Sequence, residues 1–304
     1  TTVARKHEYW KDIDLPQPTK DIRVMRQNLF EWGYCLIEDG MSQEQCQRMR
    51  ERIEEQAAAE RALGIAYLVQ SQQHVWSLVN KGADFVKCLE HDPQGVQAGP
   101  IIECLLDETL GSGWNHFSFL SNISYPNCHP QAMHQDQTFI APYNPREAPV
   151  LVNTMYVLED VNEINGGTLL IPGSHKPNGS GGPYALYGAM PCPINLEAKA
   201  GTILMFDGRV LHGGAVNHSD KFRYVITNSC VKNFIRQQEN FLLTVSPEVL
   251  ANASDKLLWR LGFQSQITAN LVEGYGYQGT GKMGDSNGSV AHVRREIDAG
   301  NYQH

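Results

Sequence analysis

His134 and Asp136 stand two residues apart in MHQDQTFIAP, residues 133–142, with Gln131 just upstream. On a strand, side chains at i and i+2 point to the same face. An imidazole and a carboxylate buried together are costly unless something pairs with both, and a metal ion does so. A catalytic metal needs about three protein ligands and open positions. The best third ligand is His212, between the apolar run GTILMFDG and the turn Gly213-Gly214. Arg223 follows eleven residues later, at the start of RYVITNSC. Two antiparallel strands joined by that turn would bring His212 and Arg223 to neighbouring positions on one inner face. A buried arginine needs an anion, and its planar fork matches a carboxylate. An ion pair with Asp207 is the structural alternative for Arg223.

Two histidines and one carboxylate on one side of a metal, with open positions beyond, is the arrangement that suits non-haem Fe(II). The open positions take a chelating co-substrate and O2. Arg223 asks that co-substrate for a carboxylate at its far end, a description that 2-oxoglutarate meets. Asn122, on the strand before the His-x-Asp pair, either faces the co-substrate or caps a turn. Tyr156 and Phe139 either line the pocket or pack the core. His175, in PGSH, and His129, in CHP, are read as turn and surface residues rather than ligands, and Cys128 and Cys230 as core or strand cysteines.

These residues need elements to hold them. PTKDIRVMRQNLFEWGYCLIEDG reads as an amphipathic helix from about Asp21 to Trp32, stopped by Gly33, then a strand from Tyr34 to Ile37. Ser42 with Gln45 forms a capping box for a second, highly charged helix with a solvated outer face. HVWSLVN, 74–80, reads as a strand, with helical pieces after it at about 83–89 and 100–106. From Trp114 onward, short apolar or alternating runs recur between Gly, Pro and Asn turns, including MHQDQTF, which means a sandwich or barrel. SPEVLANASDKLLWRLGF returns to helix, with Ser246 as N-cap and Pro247 at the first helical position. The tail GTGKMGDSNGS is Gly/Ser-rich. The expectation is a mainly β chain with flanking helices: a single domain over 1–304 with its β core at about 114–235.

Bulk properties narrow the partners. The chain has 304 residues, a net charge of -8 and scattered basic residues, which argues against nucleic acid or an anionic membrane as the main partner. It contains no apolar run near the length of a membrane span. Its seven cysteines are widely spaced without a C-x-x-C, as reduced thiols of an intracellular protein would be. The expectation is a cytoplasmic chain, monomer or homodimer, whose partner is a small molecule.

The motif set resembles the phytanoyl-CoA dioxygenase (PhyH) family of Fe(II)/2-oxoglutarate oxygenases. The matching elements are His134-x-Asp136, NGGTLLIPGSH at 165–175, AGTILMFDGRVLHGG at 200–214 and Arg223. The resemblance runs from about Leu29 to Phe263. It implies a double-stranded β-helix, a cupin-type jelly roll. It implies Fe(II) held by His134, Asp136 and His212, and Arg223 paired with the distal carboxylate of 2-oxoglutarate. Gln131 and Thr168 match positions that contact the co-substrate in some relatives. Gly214 stands where some relatives carry a hydroxyl, so that contact is absent or supplied elsewhere. The implied activity is oxidation of a small organic substrate with release of succinate and CO2. The outcome is most often hydroxylation, with desaturation, epoxidation or rearrangement open. Because Asp136 keeps the carboxylate, halogenation is not expected. The alternatives are a zinc- or other metal-dependent jelly-roll hydrolase or isomerase, and a non-catalytic small-ligand-binding jelly roll. Arg223, and the lack of an obvious general base beside the triad, count against the first; the second leaves the triad without a purpose. GIAYLVQSQQHVWSL (64–78) and PNGSGGPYALYG (177–188) are the expected substrate-facing segments, the second as a mobile lid.

Overall fold

The computed structural model describes residues 10–69, 71–140, 148–176, 192–263 and 297–300. The segment 177–188 and the tail at 279–289 lie outside the described residues. Two sheets carry the fold. The larger has seven strands in the order β1 (Tyr34–Ile37), β8 (Ile203–Asp207), β5 (Leu151–Val157), β10 (Arg223–Val231), β4 (Asn115–Ser124), β3 (Gln72–Val75) and β2 (Tyr67–Val69). The smaller has β7 (Ile194–Asn195), β6 (Thr168–Leu170) and β9 (His212–Gly214). All pairings within both sheets are antiparallel. The two sheets face each other across a cavity, the double-stranded β-helix that the sequence led us to expect.

Alternation along β10 decides what goes where. Arg223, Val225, Thr227 and Ser229 face the cavity, while Tyr224, Ile226 and Cys230 face the main apolar core with Phe119 and Ile123 of β4. A register shift between Ser229 and Cys230 marks a bulge near the end of that ladder. The helices α1 (Ile22–Trp32), α2 (Gln43–Ala62), α3 (Ala83–Leu89), α4 (Gly99–Leu110), α5 (Phe241–Thr244), α6 (Pro247–Asn252) and α7 (Asp255–Arg260) supply the other side of that core. α2 buries Cys46, Met49, Ile53 and Ala57 along one stripe and leaves its charged residues outside. Among the described residues no helix is long and apolar enough to cross a membrane.

α1 starts at Asp21, whose side chain accepts from the Arg23 N–H, and stops at Gly33 in the left-handed region (φ 80°). Any Cβ at 33 would lie 2.5 Å from His175 Nδ1, so glycine is required there on both counts. Four details of the sequence reading are corrected. The capping box of α2 is only half made: Ser42 Oγ accepts from Gln45 N–H at 3.1 Å, but the Ser42 N–H donates to Gln97 Oε1 at 2.7 Å. The expected strand 74–80 is β3, which ends at Val75, followed by a short 3-10 turn, Leu78–Asn80. Ser77 sits at φ 53° between them and breaks the extended run. The C-terminal helix is two, because Ala253 is extended and Ser254 caps afresh by accepting from Leu257 N–H. Most consequential, MHQDQTF is not a strand. His134 makes a single bridge to His212, and Asp136–Ile140 is a 3-10 helix. Gln137 pins that helix, its N–H donating to Gly208 O and its Oε1 accepting from Val150 and Leu151 N–H.

Buried histidines are expected to make the fold acid-sensitive, His116 foremost. His116 is fully buried, with its ring against Trp114 and its nitrogens 2.9 Å from Asn228 Oδ1 and 3.0 Å from Leu89 O. Burial, with His91 beside it, pulls its pKa down from 6.5 to about 3. The unfolded chain therefore binds a proton that the folded chain refuses, and stability falls as pH drops from about 6.5 toward 3. The slope is about 1.4 kcal/mol per pH unit, or about 2 kcal/mol by pH 5. Denaturant midpoints at pH 7 and pH 5 should show this loss, and His116→Gln should reduce it; an equal loss in the variant would exclude His116 as the cause.

Candidate metal centre

The bridge residue His134 and the first residue of β9, His212, exchange both backbone hydrogen bonds, at 2.8 and 2.9 Å. This sets their rings side by side, with centroids 4.4 Å apart. The 3-10 turn after His134 then brings Asp136 back between them. Its Oδ1 lies 3.3 Å from His134 Nε2 and its Oδ2 3.4 Å from His212 Nε2. One ligand atom from each residue falls within 4.8 Å of the others, a grouping that could hold a metal ion. Each imidazole is fastened on its far side: His134 Nδ1 is 2.8 Å from Ala132 O and His212 Nδ1 3.0 Å from Val210 O. A carbonyl only accepts, so Nδ1 carries the proton on both rings and Nε2 presents a lone pair to the centre. Such anchoring fixes tautomer and orientation.

The carboxylate is held too. Asn153, on β5 and fully buried, donates from Nδ2 to Asp136 Oδ2 at 2.7 Å and accepts from Ser229 Oγ at 2.6 Å. Burial pushes the Asp136 carboxyl up, but His212 and His134 outweigh it and hold it below the usual carboxylate range. His134 is raised, chiefly by its hydrogen bond to Asp136. Sequence reasoning missed Asn153, although an asparagine inside the apolar run VLVNTMYV was the signal. Asn153→Ala is expected to weaken divalent-metal binding about 10- to 100-fold, read by equilibrium dialysis; an unchanged affinity would show that Asp136 needs no support.

The triad opens onto a cavity of about 530 Å3 between the sheets. Arg223 lines it, 4% exposed, with Nε lacking any partner. Burial pulls Arg223 down to about 10, partly offset by Glu159, so it remains cationic at neutral pH. The structural alternative for it does not form, since Asp207 pairs with Arg209 at 2.6 Å. Nor are His212 and Arg223 neighbours along one sheet as expected. β9 and β10 belong to different sheets, and the two residues border the cavity from opposite sides. The end of the cavity near Arg223 is polar. Thr168 pairs with Gly214, and Gln131 N–H donates to Gly214 O at 2.9 Å. Asn122 lines the cavity from β4 with Oδ1 unpartnered.

The remaining residues separate cleanly. Phe139 lines the cavity, stacked on Phe117 with centroids 5.1 Å apart. Tyr156 is buried in the core, and Cys128 and Cys230 are buried. His129 is exposed. His175 does not join the triad; its Nε2 lies 3.1 Å from Phe30 O, beside a different cavity.

Sequence relatives share only part of their length with this chain. An uncharacterized protein of Mycobacterium tuberculosis is 28% identical over 188 residues, 58% of this chain and 63% of that protein. The dioxygenase sphC of Aspergillus fumigatus is 28% identical over 159 residues, 51% of this chain and 42% of that protein. The matched stretch is therefore under two thirds of either relative. Among solved structures, the non-heme alpha ketoglutarate dependent carbocyclase SnoK from nogalamycin biosynthesis superposes with a TM-score of 0.58 at 18% identity, covering 77% of this chain and 95% of that one. That likeness establishes the fold. The family model matched over residues 30–225 is that of phytanoyl-CoA dioxygenase, and it takes in the bridge, the triad and Arg223. By that match, over more than half its length, the chain belongs to the phytanoyl-CoA dioxygenase (PhyH) family.

Proposed function

We propose that the chain is a non-haem Fe(II)- and 2-oxoglutarate-dependent dioxygenase that oxidises a small organic substrate, releasing succinate and CO2. The observation that carries this reading is Arg223: a buried cation with its Nε unpartnered and no ion pair among the described residues, lining the same cavity as two histidines and a carboxylate. Metal-assisted hydrolysis does not in itself call for such a cation, whereas a chelating 2-oxo acid with a second carboxylate needs one at its far end.

The residues fit iron: two imidazole Nε2 atoms with their protons parked on Nδ1, and one hard carboxylate oxygen. Bound Fe(II) would supply the activation of O2. The chain does the rest. His134, Asp136 and His212 hold the metal from one side. Arg223, Thr168, Gln131 and Asn122 are the residues we assign to the co-substrate. Trp76, Leu120, Phe117 and Phe139 give the cavity apolar walls that keep water from the reacting carbon.

Those walls also bear on the substrate. Arg223 is the only lysine or arginine among the described lining residues. With Arg223 committed, nothing there answers the phosphates of a CoA ester. The aromatic walls favour an uncharged, ring-bearing secondary metabolite, hydroxylated in the simplest outcome. The test is succinate release by purified protein, expected only with Fe(II), 2-oxoglutarate and O2 together. Turnover with Zn(II), or without O2, would move the assignment to a metal-dependent hydrolase or isomerase.

A further inference from the structure

Gln72 begins β3 and is 1% exposed, yet neither its amide nitrogen nor its amide oxygen has a hydrogen-bond partner. The next residue shows that the fold can satisfy such a group. Gln73, equally buried, accepts at Oε1 from Arg61 and Tyr125 and donates from Nε2 to Ala57 O and Glu60. Gln73 faces the α2 helix; Gln72, one residue earlier, faces the other way, toward the cavity side of the sheet. An amide left open on that face, where burial makes an unmade hydrogen bond costly, points to a missing partner.

The strand register says where that partner sits. Gln72 pairs with Ser124 on β4, and Ser124 pairs with Arg223 on β10. The three side chains form one row on one face. The middle one is small and turns its hydroxyl to Cys128 Sγ at 3.0 Å. Space is therefore left between two long side chains, both with unpartnered nitrogens, Gln72 Nε2 and Arg223 Nε. Gly214, without a side chain of its own, lies next to the Gln72 amide. A Cβ at Gly214 would lie 3.2 Å from Gln72 Nε2 and 3.1 Å from Gln131 Oε1. Arg223, Thr168 and Gly214 line the polar end of the cavity, and the Gln72 amide, next to Gly214 though not itself part of the lining, borders that end from the sheet side.

We propose that Gln72 is a further co-substrate-binding residue, its Nε2 donating to the same distal carboxylate of 2-oxoglutarate that Arg223 pairs with. This rests on the function proposed above. A carboxylate offers about four lone-pair sites, and the fork of one arginine takes two. In a compartment shut off from water the others need donors. An amide supplies one without adding a charge that would itself need neutralising.

Calorimetric titration of full-length, Mn(II)-loaded protein tests this. The probes are 2-oxoglutarate and 2-oxobutyrate, which keeps the chelating end and lacks the distal carboxylate. Gln72→Leu is expected to weaken 2-oxoglutarate binding about 10- to 100-fold, the usual worth of a hydrogen bond to a charged group. Metal content and 2-oxobutyrate affinity should stay unchanged. Gln72→Glu, the same shape with a negative charge, should lose more and again only for 2-oxoglutarate; it serves if the leucine variant fails to fold. Equal losses for both acids would mean that Gln72 only packs, and unchanged 2-oxoglutarate affinity that its amide meets only water; either overturns the proposal. Arg223→Leu separates the two levels. If it loses 2-oxoglutarate while Gln72→Leu does not, the enzyme reading stands and the role of Gln72 falls. If neither variant loses it, the enzyme reading falls as well.

Discussion

Asp136→Ala is expected to lose bound iron and all succinate release while the chain stays folded. Asp136 is the only anionic ligand of the three and lies 3.3 and 3.4 Å from the two imidazole Nε2 atoms that it must share a metal with. Its described polar contacts run to His134, His212 and Asn153, all at the site, so the apolar core does not depend on it. His134→Ala and His212→Ala should behave alike, because three ligands acting as one unit do not lose activity additively. His175→Ala should retain iron, since its ring is engaged with Phe30 O beside another cavity. Iron content and succinate release for the four variants, with circular dichroism as the control for folding, decide the matter. Full activity in Asp136→Ala, or iron lost in His175→Ala but kept in His212→Ala, would break the triad.

Arg223→Leu should keep iron and lose affinity for 2-oxoglutarate. Removing one partner of a buried charged pair costs about 2–5 kcal/mol, which is on the order of 30- to several-thousand-fold in Kd. Arg223→Lys should fall between, because it keeps the charge and gives up the two-pronged fork. Added salt should change the wild-type affinity little, since the guanidinium is buried. Wild-type affinity in Arg223→Leu would mean that some other group receives the carboxylate.

Residue types and spacing carried the centre further than they carried its backbone. His134, Asp136 and His212 were legible because few other arrangements explain an imidazole and a carboxylate beside a second histidine ahead of a turn. The strand assigned to carry the first two was nevertheless wrong. The His-x-Asp spacing fits a strand face, and also a bridge residue followed by a 3-10 turn; the choice is made by the side chain of Gln137, far from any pattern. Arg223 could be read because RYVITNSC alternates cleanly. Gln72 and Asn153 could not be assigned, because their roles depend on which strands lie beside β3 and β5. That order, β5-β10-β4-β3, is unrelated to chain order. The hairpin of β2 and β3 was similarly hidden, since Ser77 breaks the strand without a glycine or proline to announce it.

The pairing of His134 with His212 uses only main-chain atoms, N–H to O in both directions. The scaffold thus positions the two sites whatever side chains they carry, and it does so without drawing on the chemistry of the centre. Backbone placement is thus independent of ligand identity: with other residues at 134 and 212, the same pair of main-chain hydrogen bonds is expected to deliver both positions to the same point. A centre built this way is open to change by single substitutions, in evolution or by design, and the reaction it performs can diverge while the architecture around it stays the same.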